Sequence, residues 1–387
     1  MRIGLLTLPI AENYGGILQA VALYQFLSKE GHDVTLIYKQ NDQQGKVLKE
    51  IARYILLSLP AHNLFNVKTN FQAMKGIKER TALHKSFIHN EIPNISPPLI
   101  TTQELANYTN EQKFDAVVVG SDQVWRKAYI NDRYYQSYFL DFIPPNSKIK
   151  KIAYAASFGK DTWEGKGDEE QISELLRQFS GISVREASGI DVCRAVFNIK
   201  NVEHVLDPTL LMDKEFYLDI IRKYDVSNMP VKKMVTYVLD EAKDKRTIIN
   251  NYQQSLNINE NETLHLKGFS QLNRAAYSVP EWLFAIANAD FVITDSFHGM
   301  VFSIIFEKQF IVIGNKNRGL ERFTSLLSYL ALENNLIVSE RESRKSIVKI
   351  DQKNIKFKIQ SLHIDSVDFL EKILSYSCHN VEKELMS

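Results

Sequence analysis

Cysteine is nearly absent: the 387 residues hold only Cys193 and Cys378, far apart in the chain. A disulfide framework or a thiolate metal site needs more than that. Charge of one sign is not in excess either, since 47 lysines and arginines meet 46 aspartates and glutamates, leaving a formal net charge of +1. That balance argues against a broad electrostatic footprint for nucleic acid. There is no run of roughly 18 apolar residues that could span a bilayer. The opening Met1-Arg2-Ile3-Gly4-Leu5-Leu6-Thr7-Leu8 lacks the apolar core and small-residue cleavage site of a signal peptide. A cytoplasmic protein is expected. Internal repeats and low-complexity tracts are missing, as is a G-x-G-x-x-G fingerprint, so nothing points to a nicotinamide cofactor. The histidines show no metal-ligand spacing, and neither a metal nor a cofactor is expected.

What remains is the composition of a soluble globular protein, 44% hydrophobic and 24% charged, long enough for two domains. Short apolar runs alternate with longer amphipathic segments. Ile3 to Leu8, Val34 to Tyr38, Ala116 to Val119, Ile152 to Ala156 and Ile182 to Val184 read as buried strands. The rhythm restarts after Asp207-Pro208, with strands at Lys233 to Leu239, Thr263 to Leu266, Phe291 to Thr294 and Phe310 to Ile313. Strand, helix, strand at this spacing makes right-handed crossovers and parallel sheets covered on both faces. The fold class expected is therefore α/β, two Rossmann-like domains facing across a cleft. Residues 1–208 form the first and 209–362 the second. A C-terminal helix and tail occupy 363–387 and could pack on either domain.

A helical insertion at about 46–90 interrupts the pattern, with Val47, Ile51, Tyr54, Ile55, Leu57 and Leu59 among basic residues. It reads either as a lid packed on the sheet or as an amphipathic surface for peripheral contact with a membrane or a lipid-linked acceptor. The sequence leaves both open.

Parallel sheets bind ligands at the carboxyl ends of their strands, beside helix starts. Six places qualify. Asn13-Tyr14-Gly15-Gly16 precedes a helix, where glycine admits a close ligand and free N–H groups face it; a simple turn capped by Asn13 fits equally well. After Val119 come Gly120, Ser121, Asp122 and Trp125, which could hydrogen-bond and stack a sugar, or cap a helix and fill the core. Ser157 follows its own strand in the same way. Arg185 ends a buried strand, a costly place for a guanidinium unless it meets an anion, either a neighbouring acid or a small substrate acid. The sharpest is Asp295-Ser296-Phe297-His298-Gly299, which sets His298 in the first turn of an apolar helix. A helix start disfavours a charged imidazole unless an anion lies close. Lys316, Arg318 and Arg322 follow the next strand.

Together these residues resemble the polysaccharide pyruvyl transferase family. The resemblance rests on Asn13-Tyr14-Gly15, Gly120-Ser121-Asp122-Gln123-Val124-Trp125, Ser157-Phe158-Gly159, Val184-Arg185-Glu186, Asp207-Pro208-Thr209 and Ser296-Phe297-His298-Gly299. It implies a fold similar to the two-domain (GT-B type) glycosyltransferases, with residues 1–208 as the acceptor-side domain and 209–362 as the donor-side domain, and phosphoenolpyruvate as donor substrate. The acceptor implied is a saccharide, free or lipid-linked, that receives a cyclic ketal. It also implies catalytic roles for His298, Arg185 and Asp122. The substrate contacts implied are Asn13, Tyr14, Gly15, Gly16, Ser121, Trp125, Ser157, Ser296, Phe297, Gly299, Lys316, Arg318 and Arg322. One departure stands out: the family arginine two residues before the histidine is Ser296 here. Arg185, Lys316, Arg318 and Arg322 are the cations left to fill its place. The same architecture would suit a nucleotide-sugar glycosyltransferase, or a sugar-binding homologue without turnover. Oligomeric state is not legible.

Overall fold

The computed structural model describes residues 1–10, 13–42, 82–130, 133–240, 242–266, 277–314, 319–344 and 349–375. Residues 46–81 of the expected 46–90 insertion lie outside them, as do Lys316 and Arg318.

The first sheet contains β1 (Arg2–Leu6), β2 (Asp33–Ile37), β3 (Ala116–Val119), β4 (Lys150–Ala156), β5 (Gly181–Val184) and β6 (Glu203–His204), ordered β2-β1-β3-β4-β5-β6 and parallel throughout. Helices α1 (Tyr14–Lys29), α2 (82–91), α3 (Thr102–Gln112), α4 (Glu169–Leu176) and α5 (Ser188–Phe197) cover it. A short 3-10 turn, Pro208–Leu210, and α6 (Lys214–Lys223) lead into the second sheet. That sheet holds β7 (Met234–Tyr237), β8 (Thr263–Leu266), β9 (Phe291–Thr294), β10 (Gln309–Ile313) and β11 (Leu336–Ile337), also parallel, ordered β11-β10-β9-β7-β8. Its helices are α7 (Lys243–Ser255), α8 (Val279–Ala287), α9 (Phe297–Ile305) and α10 (Glu321–Leu330).

The period of two along each strand decides where the cores lie. In β3, Ala116 and Val118 join one apolar cluster while Val117 and Val119 join another. In β10, Phe310 and Val312 join that same first cluster, and Ile311 and Ile313 face outward into a third. One continuous core therefore runs between the two sheets through α1 and α9. Two further clusters fill the outer faces.

The last helix, α11 (Gln352–Ser375), starts well before the expected position near residue 363 and returns to the first sheet. Ser366 accepts from Leu206 N at 2.9 Å, Phe369 packs on Tyr154, and Lys150 donates to Ile373 O at 2.8 Å. Its apolar positions Ile355, Leu362, Phe369 and Leu370 fall on one side. Among the described residues no helix is long and apolar enough to cross a membrane.

Candidate active site

The carboxyl ends of both sheets converge near Asp207. From the first side, β3 ends in Gly120 and the polar pair Ser121-Asp122. Asp122 takes a left-handed backbone, φ 75°, which aspartate tolerates better than most residues because its carboxylate can bond locally. Here Oδ1 accepts from Gln123 N at 2.9 Å. Arg185 follows β5 and is buried, with only 1% of its side chain exposed. Its Nη1 donates to Asp207 Oδ2 at 2.7 Å and to Ser121 Oγ at 3.3 Å, and Nη2 stands 3.7 Å from Asp122 Oδ1. Burial alone would lower the guanidinium's pKa, but Asp207, Asp122 and Glu186 outweigh it and raise it above the ordinary value.

From the second side, α9 begins at Phe297 with Ser296 as its cap, accepting from Gly299 N at 3.3 Å. Asp295 anchors the preceding turn: it accepts from Leu239 N at 2.6 Å and pairs with Lys245 Nζ at 2.5 Å. His298 is thereby held with Nε2 3.6 Å from Asp207 Oδ2. Its ring also presses on the start of α1, where a Cβ built on Gly15 would lie 1.9 Å from Nδ1. No side chain other than hydrogen fits there.

Asp207 belongs to a run that carries the family resemblance, but the sequence assigned it no role at the site. It accepts from Arg185, from Ser121 Oγ at 3.0 Å, and from Thr209 N and Oγ1 at 3.0 and 2.6 Å. Burial would raise its carboxyl, yet His298 and Arg185 hold it far below the usual carboxylate range. The Asp-Pro pair after a strand was the available signal, because it caps a turn where the chain passes between the sheets.

Two guanidinium groups lie over the Phe297 ring, Arg185 at 4.6 Å and Arg322, from α10, at 5.6 Å. Burial, reinforced by repulsion from Arg185, pushes Arg322 down to about 10. Several buried polar atoms here have no hydrogen-bond partner among the described residues: Arg185 Nε and Nη2, Glu186 Oε2 and His298 Nε2. Interior polar groups are otherwise nearly always paired, so these atoms are where an anion or hydroxyl could be received.

In sequence, the family model described as polysaccharide pyruvyl transferase matches residues 13–317. The chain belongs to the polysaccharide pyruvyl transferase family. No curated protein matches it in sequence. In fold it is similar to the UDP-GlcNAc 2-epimerase from Neisseria meningitidis, at 10% identity and a TM-score of 0.51, covering 96% of this chain and 100% of that one. The UDP-N-acetylglucosamine 2-epimerase from Rickettsia bellii gives 11% identity and a TM-score of 0.50, covering 97% of this chain and 96% of that one. At such identities the likeness shows the fold alone, and that fold is of the two-domain GT-B type.

For this pyruvyl transferase family member, the structure brings Ser121, Asp122, Arg185, Ser296, Phe297, His298 and Arg322 into one buried cluster around Asp207. Two of the expected substrate contacts lie elsewhere. Trp125 is 1% exposed, stacks on Phe139 with ring centroids 5.3 Å apart, and gives its indole N–H to Tyr138 O. It is core, not a sugar platform, because a large ring with its one donor satisfied gains most from full burial. Tyr14 is also buried, stacked on Trp282 at 5.3 Å, with its hydroxyl donating to Tyr277 O at 2.7 Å. It fastens α1 to α8 across the two sheets.

Asn13, Gly16, Ser157 and Gly299, among the described residues, hold the local structure. Asn13 caps α1 through Gly15 N at 3.2 Å, and Gly16 gives its carbonyl to Gln19 at 2.9 Å. Ser157 donates to Glu186 Oε1 at 2.9 Å, which also accepts from Gly159 N at 3.0 Å. Gly299 sits hard against Thr294 at the end of β9. Among the described residues no group of three or more His, Cys, Asp or Glu could hold a metal ion.

Proposed function

We propose that the protein transfers the pyruvyl group of phosphoenolpyruvate onto two hydroxyls of a saccharide, forming a cyclic ketal and releasing phosphate. The observation that carries this reading is the pair of guanidinium groups on Phe297, 4.6 and 5.6 Å from its ring, beside the His298 imidazole. A small acid with a carboxylate and a phosphate needs such a pair, and a planar fork suits both groups. In this reading Arg322, reached from the next helix, stands in for the arginine that the family places where this chain has Ser296.

The chemistry balances on these groups. His298 delivers a proton to the methylene carbon of phosphoenolpyruvate, and the adjacent carbon gains cationic character. One sugar hydroxyl attacks that carbon and gives up its proton, with Asp122 as the candidate base. The second hydroxyl attacks the same carbon as the bond to the phosphate oxygen breaks, and its proton leaves with the phosphate. Arg185 and Arg322 offset the donor's negative charge throughout, and holding both partners in register lowers the barrier further. No cofactor enters this scheme. The acceptor would be a saccharide, free or lipid-linked, of a polysaccharide pathway.

Because the fold is shared with proteins whose names include UDP-GlcNAc, the discriminating experiment compares ligands directly. Thermal-shift titration with phosphoenolpyruvate and with nucleotide sugars should raise the midpoint only for the former. Stabilisation by a nucleotide sugar alone would replace this reading with glycosyl transfer.

A further inference from the structure

The Asp207 carboxylate lies where the chain passes from one sheet to the other, and it gathers groups from both. Oδ2 accepts from Arg185 Nη1 at 2.7 Å and Ser121 Oγ at 3.0 Å on the first side, and faces His298 Nε2 at 3.6 Å on the second. Oδ1 is pinned separately by Thr209 N and Oγ1, at 3.0 and 2.6 Å. The side chain is fully enclosed, and the hydroxyls of Tyr154 and Tyr217 lie near enough to feel its charge. A buried carboxylate is tolerated only with such partners. This one hydrogen-bonds Arg185 and stands 3.6 Å from the His298 imidazole, the two groups assigned to opposite halves of the reaction.

We propose that Asp207 is a positioning residue. Its carboxylate fixes the ring of His298 against the guanidinium of Arg185, so that proton donor and anion anchor keep one relative geometry when the two sheets close on substrate. The inference rests on the pyruvyl-transfer reading and gives a role to a residue to which the sequence assigned none. Because Asp207 acts through its neighbours, its loss has a signature distinct from simple damage. Removing the charge frees a guanidinium from its internal counter-ion, so anion binding holds or tightens. The imidazole meanwhile loses its register, and turnover falls.

The test measures acceptor-dependent phosphate release for wild type, Asp207→Asn, His298→Ala and the double variant, together with calorimetric binding of inorganic phosphate. Asp207→Asn should lower kcat on the order of 10²-fold, the scale of a misplacement by about 1 Å. The double variant should be no slower than His298→Ala, since both changes act on the same group. Phosphate should bind Asp207→Asn at least as tightly as wild type. An unchanged kcat, multiplicative losses in the double variant, or phosphate affinity falling together with thermal stability would each overturn the assignment.

Should Asp207→Asn not fold, Thr209→Val removes one hydroxyl from Oδ1 and keeps the charge. A roughly 2- to 10-fold fall in kcat is then expected, the worth of one hydrogen bond, and an unaltered kcat overturns the inference. If wild type itself releases no phosphate with any acceptor, the parent reading fails on its own. The Asp207 assignment is then decided by calorimetry, with equal or tighter phosphate binding in Asp207→Asn supporting it and weaker binding overturning it.

Discussion

Gly15 and His298 are in direct contact: a methyl group on Gly15 would fall 1.9 Å from Nδ1 of the imidazole. The contact joins the first turn of α1 to the first turn of α9, so two positive helix ends meet around one ring. Asp207, 3.6 Å from the ring's other nitrogen, supplies the negative charge at that meeting point. The geometry of the candidate active site is therefore set by packing between the sheets as much as by hydrogen bonds.

Gly15→Ala should displace the ring, because the first turn of a buried helix cannot retreat far enough to restore a normal contact. Loss of kcat on the order of 10²-fold is expected for a shift of about 1 Å. Steady-state kinetics on the folded variant, with circular dichroism to check the fold, measures it. Wild-type kcat would mean the ring position is irrelevant to turnover.

Arg185 should divide into two effects. Arg185→Ala takes from the buried Asp207 its one guanidinium partner, leaving only Ser121, Thr209 and His298 around the charge, and should cost about 3 kcal/mol of unfolding free energy. Arg185→Lys keeps the charge but not the fork, so it should fold better than Arg185→Ala while raising KM for phosphoenolpyruvate. Denaturant titration and initial rates separate the two.

Arg322 should be a stability cost at neutral pH. Its guanidinium is pushed down to about 10, below the ordinary 12.5, so the unfolded chain holds its proton at higher pH than the folded one. The burial penalty is complete below pH 10 and is relieved as pH rises from there toward the unfolded value. Replacing Arg322 with Met should therefore stabilise the protein near pH 7, by about 1 kcal/mol or more. The advantage should shrink above pH 10, and KM for phosphoenolpyruvate should rise. Thermal melts across pH, paired with kinetics, check both halves; a destabilised variant would show that Arg322 is a structural partner instead.

Trp125 should matter for folding and not for the acceptor. Trp125→Ala opens a cavity beneath Phe139 and Phe158 and should cost about 3–5 kcal/mol. Trp125→Phe should lose less and keep the acceptor KM of wild type. A specific rise in acceptor KM with unchanged stability would return the indole to the cleft.

Much of the fold could be read because buried parallel strands advertise themselves as short apolar runs. Ala116–Val119, Thr263–Leu266 and Phe291–Thr294 stand where the sequence placed them. The two-residue strands β6 and β11 carried too few side chains to show a pattern. The long start of α11 was missed because Lys353, Asn354, Lys356 and Lys358 dilute its apolar stripe. At the site, residues that follow strands were found by the rule that polar groups gather at carboxyl edges. Trp125 and Tyr14 obey the same rule in sequence, yet turn inward because aromatic rings gain more from the core. Asp207 escaped because its role depends on Arg185 and His298, 22 residues before it and 91 after it, which no local pattern brings together.

The most direct measurement is phosphate release from phosphoenolpyruvate across a panel of free and lipid-linked oligosaccharides, with mass spectrometry of the acceptor. Wild type should release one phosphate for each pyruvyl ketal formed, and His298→Ala should be slower by about 10²–10⁴-fold, the usual worth of a general acid. Wild-type turnover in both His298→Ala and Arg185→Ala, or no ketal on any acceptor while a nucleotide sugar is consumed, would contradict the account.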